Sequence, residues 1–496
     1  MNELAARHIL YDGWAATMNQ NTLVIDGTRT AEHQLEGSER RVWLLLADPL
    51  PNRIFFDCGI VDALREALPD RLTAVWLVHQ KHVRPWLERS EGMQLLMKNE
   101  LMPVRVPFRE RVVRRVDIEL DKRIGFFPLA VRHSFRYGFH EGRFVSGHPN
   151  FLLDPDRVGP LPRWRVLESL MTRWYFSPRR YVPSVLLERM RAECSGLVVT
   201  NLQARVSMPL MLAARRLRLP VVGNVASWDH TVGKGILSPD LDLYIVQNEI
   251  MRDDLHDFHG ISPDRVVVTG WPQSDVYHRR SSRAEYDALL ERFGLDPAKP
   301  VVLYAGNTPT NQPYEANYVR RLVDWWAGGD ARERYQLLLR PHPRDNQVKE
   351  RFAAAFDCPG VGVQEASYTD LADLATLLQH VACVIANGGT ILLDGVVNDR
   401  PAICITFDEG APPDERWADL NLGGHHYREL IDSDAMYRAD DFDGLVAAIE
   451  RSLAHPEEQA AERRRIAQEL VGEVDGRAAE RSVDAIVEGL GAHAAR

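Results

Sequence analysis

The sequence is poor in cysteine. Five residues in 496 (Cys58, Cys194, Cys358, Cys383 and Cys404) stand far apart, and no two form a C-x-x-C pair. That spacing excludes a disulfide framework and a thiolate zinc site, and it suits a reducing, cytoplasmic compartment. Long apolar runs are also missing: none reaches the roughly 18 residues that a membrane-spanning helix needs. The opening residues MNELAARHILYDGW lack the basic stretch and apolar core of a signal peptide. Positive charge is not in excess. The balance is −10, which argues against a dedicated nucleic-acid binder. Repeats and low-complexity segments are absent too. What remains is an ordinary globular composition, 45% hydrophobic and 26% charged, long enough for two or three domains.

Short apolar runs alternate with helical patterns. Residues 41–46 (RVWLLL) and 72–78 (LTAVWLV) read as strands, with helical spacing over 60–68. The series continues at 196–200, 220–224, 243–246 and 266–269, with helices over 208–217 and 249–258 between them. It halts at Gly270-Trp271-Pro272-Gln273. Ser282 and Glu285 then make an S-x-x-E capping box ahead of an amphipathic helix, with Gly294 as its stop. A second set of strands follows at 301–305, 336–339, 381–386 and 402–406. This alternation predicts an α/β protein with two parallel-sheet, Rossmann-like, doubly wound halves. The halves are expected over 1–280 and 281–455, with a helical tail over 456–496 broken at Gly476. Residues 101–180 interrupt the first half. They carry 15 Arg and one Lys against 8 Asp/Glu, a local +8, interleaved with aromatics such as Phe108, Phe126, Phe127 and Trp174. The block is either a grip for a phosphorylated or membrane-linked acceptor or a solvated insert paired with acids elsewhere.

Four segments carry chemistry. A strand ends at Asn387-Gly388-Gly389-Thr390 and turns into a helix, whose free N–H groups suit an anion; Asp394, one turn on, could take a ribose hydroxyl. The plain alternative is a strand-to-helix turn. LLLRPHPRD delivers Arg340, His342 and Arg344 to a strand's carboxyl end, where guanidinium and imidazole suit a diphosphate. NVASWDHTVGKG gathers Trp228, Asp229, His230, Thr231 and Lys234; its carboxylate or imidazole could act as general base, and Lys234 could meet a phosphate or acidic substrate. YAGNTPTNQ places Gly306, Asn307 and Thr308 in a turn of the kind that contacts phosphate through backbone amides. No metal is expected. Asp240-Leu241-Asp242 sits at a strand mouth, and the His256/His259 and His425/His426 pairs lack carboxylates at metal-site spacing.

The order strand–GNTP, strand–RPHP, SYTDLADLA, strand–GGT-x3-D, and a closing DGRAAERSVDAIV resembles the C-terminal half of a GT-B glycosyltransferase. Within that superfamily it resembles most the CDP-glycerol glycerophosphotransferase and capsule-polymer transferase branch. The resemblance covers about 195–490 and leaves the first 190 residues with little. In that branch a W-H-G-T-P-L-K loop carries the base, and here Trp228-Asp229-His230-Thr231 with Lys234 lines up with it, placing Asp229 where the family has histidine. Its R-x-H-P matches Arg340–His342–Pro343, and its S-S-x3-D matches Gly389-Thr390 with Asp394. The resemblance implies a GT-B transferase with a C-terminal helix returning to the first half. It further implies a nucleotide-sugar or nucleotide-polyol donor as substrate, no cofactor or metal, and a carbohydrate, phosphorylated or lipid-linked acceptor, as in cell-surface polysaccharide synthesis. Gly306, Asn307, Thr308, Arg340, Asn387, Gly388, Gly389, Thr390 and Asp394 are then donor-side. Trp228, Thr231 and Lys234 are acceptor-side, and Asp229 or His230, with His342, is catalytic. Two other readings use the same residues. One is a non-hydrolysing UDP-sugar 2-epimerase; the other is a non-catalytic nucleotide-sugar-binding protein.

Overall fold

Strands buried on both faces need helices above and below them, and the apolar runs here are placed in that way. The computed structural model describes residues 40–77, 84–102, 162–177, 179–365, 367–413 and 415–492, with short pieces between 108 and 153. The first 39 residues, and with them the expectation about a signal peptide, lie outside the described residues, as do Phe126 and Phe127 and most of the basic block.

The first sheet is built from β1 (Arg41–Leu46), β2 (Leu72–Trp76), β3 (Gln94–Met97), β4 (Cys194–Val199), β5 (Val221–Asn224), β6 (Leu243–Val246) and β7 (Val266–Val268). All pairs are parallel, in the order β3-β2-β1-β4-β5-β6-β7. Val42, Leu44 and Leu46 of β1 pack on one face with Phe55, Phe56 and Trp76, while Trp43 and Leu45 pack on the other. The second sheet has β8 (Val301–Ala305), β9 (Gln336–Arg340), β10 (Val361–Val363), β11 (Cys383–Ala386), β12 (Ala402–Ile405) and β13 (Tyr437–Ala439). It is also wholly parallel, in the order β10-β9-β8-β11-β12-β13. This is the expected α/β GT-B architecture of two doubly wound halves. Strand order reverses between β1 and β4 and again between β8 and β11, and the crevice outside such a reversal is where open α/β sheets bind ligands.

Six helices matter for the site: α1 (Pro49–Asp57), α2 (Pro272–His278), α3 (Arg283–Arg292), α4 (Thr390–Val397), α5 (Ala460–Val471) and α6 (Ala478–Ala492). The capping box of α3 is formed: Ser282 Oγ accepts from Glu285 N–H at 3.2 Å, and the Glu285 carboxylate accepts from Ser282 N–H at 2.6 Å. Between α5 and α6 the chain turns through Gly472 and Gly476, at φ 84° and 76°. α6 then returns to the first sheet, where Val483 and Ile486 join the β1 and β2 side chains. Gly489 lets it lie close, because a Cβ there would stand 2.7 Å from Val222 Cγ2. Asp275 of α2 holds the start of α6, accepting from the N–H groups of Ala478 and Ala479 at 3.1 and 2.7 Å.

Candidate active site

β8 and β11, which flank the strand reversal of the second half, end in the two Gly-containing loops picked out by sequence. Asn307 Nδ2 donates to the Asn387 carbonyl at 3.1 Å and joins them. Gly306 is confined: a Cβ would fall 2.8 Å from the Phe352 ring. Gly388 and Gly389 hold φ of 76° and 88°, a region that disfavours side chains. The Gly389 N–H donates to the Tyr427 hydroxyl, and Thr390 opens α4, whose first turn offers further N–H groups. The Asn387 side chain is an internal tie. Its Nδ2 donates to the Ile405 carbonyl at 2.7 Å, and its Oδ1 accepts from Asn421 at 2.8 Å. Thr308 Oγ1 lies 3.0 Å from Thr310 Oγ1 on the loop surface.

β9 runs into the R-P-H-P loop. Arg340 forms a buried bidentate pair with Asp370 at 2.7 and 2.9 Å, so its fork fixes the 367–370 segment and is not open to a phosphate. His342 Nδ1 accepts from the Arg344 N–H at 3.0 Å, so the neutral ring carries its proton on Nε2. Burial, with the charges of Arg344, Arg340 and Arg53, lowers this imidazole to about 4. At neutral pH it is therefore an uncharged N–H donor. The Arg344 guanidinium meets Asp48, the N-cap of α1 in the first half, at 3.3 Å. Beneath both loops lies a buried charge cluster. Arg351 donates to Glu315 at 2.7 Å, to the Gln312 carbonyl at 2.7 Å, to the Asn307 carbonyl at 3.1 Å and to Asp345.

Asp394 is buried and already partnered. It accepts from Tyr277 Oη at 2.6 Å and from Gln273 Nε2 at 3.0 Å. Burial pushes its carboxyl up to about 6, against these donors and Arg53. Both donors meet Oδ1, and through this oxygen Asp394 ties α4 to α2.

Across the crevice, β5 leads to a single 3-10 turn, Trp228–Thr231. Trp228 is buried edge-on against His426 and Tyr427 of the second half, with ring centroids 5.2 and 5.1 Å away. Thr231 is internal: its Oγ1 donates to Asp254 at 2.6 Å and its carbonyl lies 2.6 Å from His259 Nε2. The Asp229 side chain keeps 24% exposure, with Lys234 Nζ at 3.5 Å and His230 Nε2 at 4.0 Å. Burial alone would raise the Asp229 carboxyl, but the surrounding His230, Lys234 and His426 and a Ser227 hydrogen bond hold it well below the usual carboxylate range. Burial lowers His230 and keeps it neutral, although Asp229 opposes the shift. The buried Nδ1 atoms of His230 and His426 make no hydrogen bond. Asp229 is thus an ionised carboxylate beside two neutral imidazoles, and its charge also reaches Arg344.

The structure therefore brings Trp228, Asp229, His230 and Lys234 to the crevice, with the loops of Gly306, His342 and Gly389 on its other half. It gives Arg340, Asn387, Thr231 and Asp394 internal partners. Sequence reasoning missed Asp48, Arg53, Glu315, Arg351, His426 and Tyr427. The adjacent His425 and His426, set aside as a chance pair, were the available signal for the last two. Among the described residues no group of three or more His, Cys, Asp or Glu side chains is placed to hold a metal ion, and no helix is long and apolar enough to cross a membrane.

The S. aureus MnaA–UDP co-structure is similar to this chain in fold, with a TM-score of 0.51 at 12% identity over 91% of this chain and 97% of that one. So is the UDP-GlcNAc 2-epimerase from Neisseria meningitidis bound to UDP-GlcNAc, with a TM-score of 0.51 at 10% identity over 90% and 100%. The comparison with curated proteins returns no match. A family model described as CDP-Glycerol:Poly(glycerophosphate) glycerophosphotransferase matches residues 236–488, starting just past the loop that holds Asp229. That match spans just over half of the chain, so the protein belongs to this glycerophosphotransferase family and is a transferase on the GT-B fold.

Proposed function

We propose that the chain transfers a polyol phosphate or sugar from a nucleotide-activated donor to an acceptor hydroxyl, with Asp229 as general base. The observation that carries this reading is the ionised, part-exposed Asp229 on a turn seated against His426 and Tyr427, the latter also bonded to Gly389. In this reading the donor's phosphates rest on the 306–308 loop and the first turn of α4, and His342 Nε2–H donates to a phosphate oxygen. The acceptor oxygen bonds to the donor phosphorus or anomeric carbon, and the bond to the nucleotide breaks with its electron pair leaving on the nucleotide. The hydroxyl proton passes to Asp229. His230 and Lys234 keep that carboxylate ionised at neutral pH, at some loss of basicity.

A second reading has one observation in its favour: the unpartnered Nδ1 of His230 could take the proton. The pH profile separates the two. A base must be deprotonated, so activity falls as pH drops through its pKa. With Asp229 as base, kcat/KM stays flat from pH 8 to about 5, and Asp229→Asn costs about 10²–10⁴-fold while His230→Gln costs little. A profile that falls at a higher pH than a carboxylate would give, yet below the ordinary imidazole value, with the large loss moved to His230→Gln, assigns the role to His230.

The acceptor side of the reading rests on an exposed face. Val166 and Leu170 of the helix Pro162–Tyr175 are 63% and 57% exposed, with Trp174 four residues on, and Phe108, Val112 and Val116 repeat that spacing in the open. Together with the +8 balance over 101–180, this face suits an anionic lipid surface. The protein should sediment with vesicles containing phosphatidylglycerol but not with phosphatidylcholine alone, less so at 0.5 M salt, and Val166→Glu/Leu170→Glu should abolish it. Equal binding to both vesicle types, or none, would sink the lipid reading.

A further inference from the structure

α1 belongs to the part of the chain with the fewest sequence signals, yet it carries a buried cation that makes no direct ion pair among the described residues. Arg53 is 7% exposed, and its Nη2 donates to Gln273 Oε1 at 2.5 Å. Its buried Nε has no hydrogen-bond partner, and no carboxylate among the described residues lies within ion-pair distance of it. Its charge reaches the carboxylates of Asp394 and Asp57 without a direct contact, whereas buried guanidinium groups are normally held by direct ion pairs. Arg351 and Arg340 are equally buried, and both hold carboxylates.

The surroundings show where the missing anion belongs. Gln273, the partner of Arg53, also donates to Asp394 of α4, so the guanidinium stands one hydrogen-bonded residue away from that helix. Side chains on a helix lean toward its N-terminus, which brings Asp394 back toward the Gly389-Thr390 end. The Arg53 charge acts on Asp394 after burial and the Tyr277 hydrogen bond, on His342 after burial, Arg344 and Arg340, and on Tyr368 after burial, Arg344 and Asp48. Arg53 thus lies between α1, the R-P-H-P loop and the start of α4.

From this placement we infer that Arg53 is the first half's ligand for a phosphate, completing across the crevice an anion site whose other wall is His342 and the first turn of α4. The inference deepens the transfer reading and rests on it for the source of the phosphate, either the donor's diphosphate or a phosphorylated acceptor. Because Arg53 and α4 sit on different halves, one phosphate would bridge both.

Calorimetric titration of the full chain tests it. The probes are pyrophosphate, CDP and UDP, cytidine and uridine, and glycerol 3-phosphate. Arg53→Gln should weaken pyrophosphate and whichever nucleoside diphosphate binds by about 10–100-fold, the loss expected for charged hydrogen bonds. The free nucleosides should bind as before, and Arg53→Lys should recover part of the loss. A fall for glycerol 3-phosphate with nucleoside diphosphates unchanged would support the same site with the acceptor as its source. Ligand-free Arg53→Gln should melt close to the parent, since no direct ion pair is lost and Gln can keep a donor toward Gln273. Unchanged affinity for every phosphate probe, or an equal loss for nucleosides and diphosphates with a lower Tm, overturns the inference. If the parent binds pyrophosphate through Arg53 but binds neither CDP nor UDP, the anion site stands and the donor assignment falls.

Discussion

His342→Ala should lower turnover about 10²–10³-fold and leave the melting temperature nearly unchanged. The effect is large because the ring is a fixed, neutral donor. Arg344 N–H occupies Nδ1 at 3.0 Å, which leaves Nε2–H as the donor that the proposed reading gives to a phosphate oxygen. With its pKa lowered to about 4, by burial first and the neighbouring arginines next, the ring keeps one protonation state across the working range. Its contribution is thus a preorganised hydrogen bond and not a proton transfer, so kcat should fall with little change in the shape of the pH profile. His342→Asn, which retains an N–H donor on a shorter arm, should recover part of the rate. If His342→Ala turns over within about threefold of the parent, the R-P-H-P loop does not stabilise the reacting phosphate.

Arg351→Met should destabilise the second half by about 3–5 kcal/mol, the usual cost of removing one member of a buried ion cluster. Thermal unfolding should show a drop of about 10 °C for a domain of this size. Two carboxylates would be left in the interior, Glu315 at 2.7 Å from the lost fork and Asp345 on its other arm. The Asn307 and Gln312 carbonyls would also lose their donor. Burial already presses the Glu315 carboxyl up to about 7 against the Arg351 charge, so without that charge it should take up a proton. Arg351→Lys keeps the charge but cannot reach all four acceptors, and should fall between the two. Because Asp345 N–H donates to the His342 carbonyl at 2.8 Å, the same change should loosen the catalytic loop and raise the donor's KM. A Tm within 2 °C of the parent would show that the cluster stabilises nothing.

What could be read from sequence follows from how parallel sheets are built. Every strand of such a sheet delivers its following loop to one edge, so Gly306, His342 and Gly389 could be assigned to a common crevice from local pattern alone. In the two large sheets, the strands without a clear sequence pattern are β3, β10 and β13, all edge strands of three or four residues, each partly exposed. Such strands need no continuous apolar run. Partners in space are a different matter. Arg340 and Asp394 have the chemistry of ligand-binding residues, and only the fold shows Asp370 and Tyr277 already bonded to them. Arg53 lies 220 positions from Gln273, and nothing local marks it as a buried cation without a direct ion pair among the described residues.

The returning α6 has a consequence for biosynthesis. The sheet of the first half is covered on one face by residues that follow the whole second half in the chain, with Gly489 seated on Val222 and Ile486 among the β1 and β2 side chains. The half made first therefore cannot finish its own core while the second is being translated. Its apolar face must wait, shielded by chaperones or by transient packing, until Ala478 and Ala479 reach Asp275. The core of the first half is thus completed only after the second half has been made.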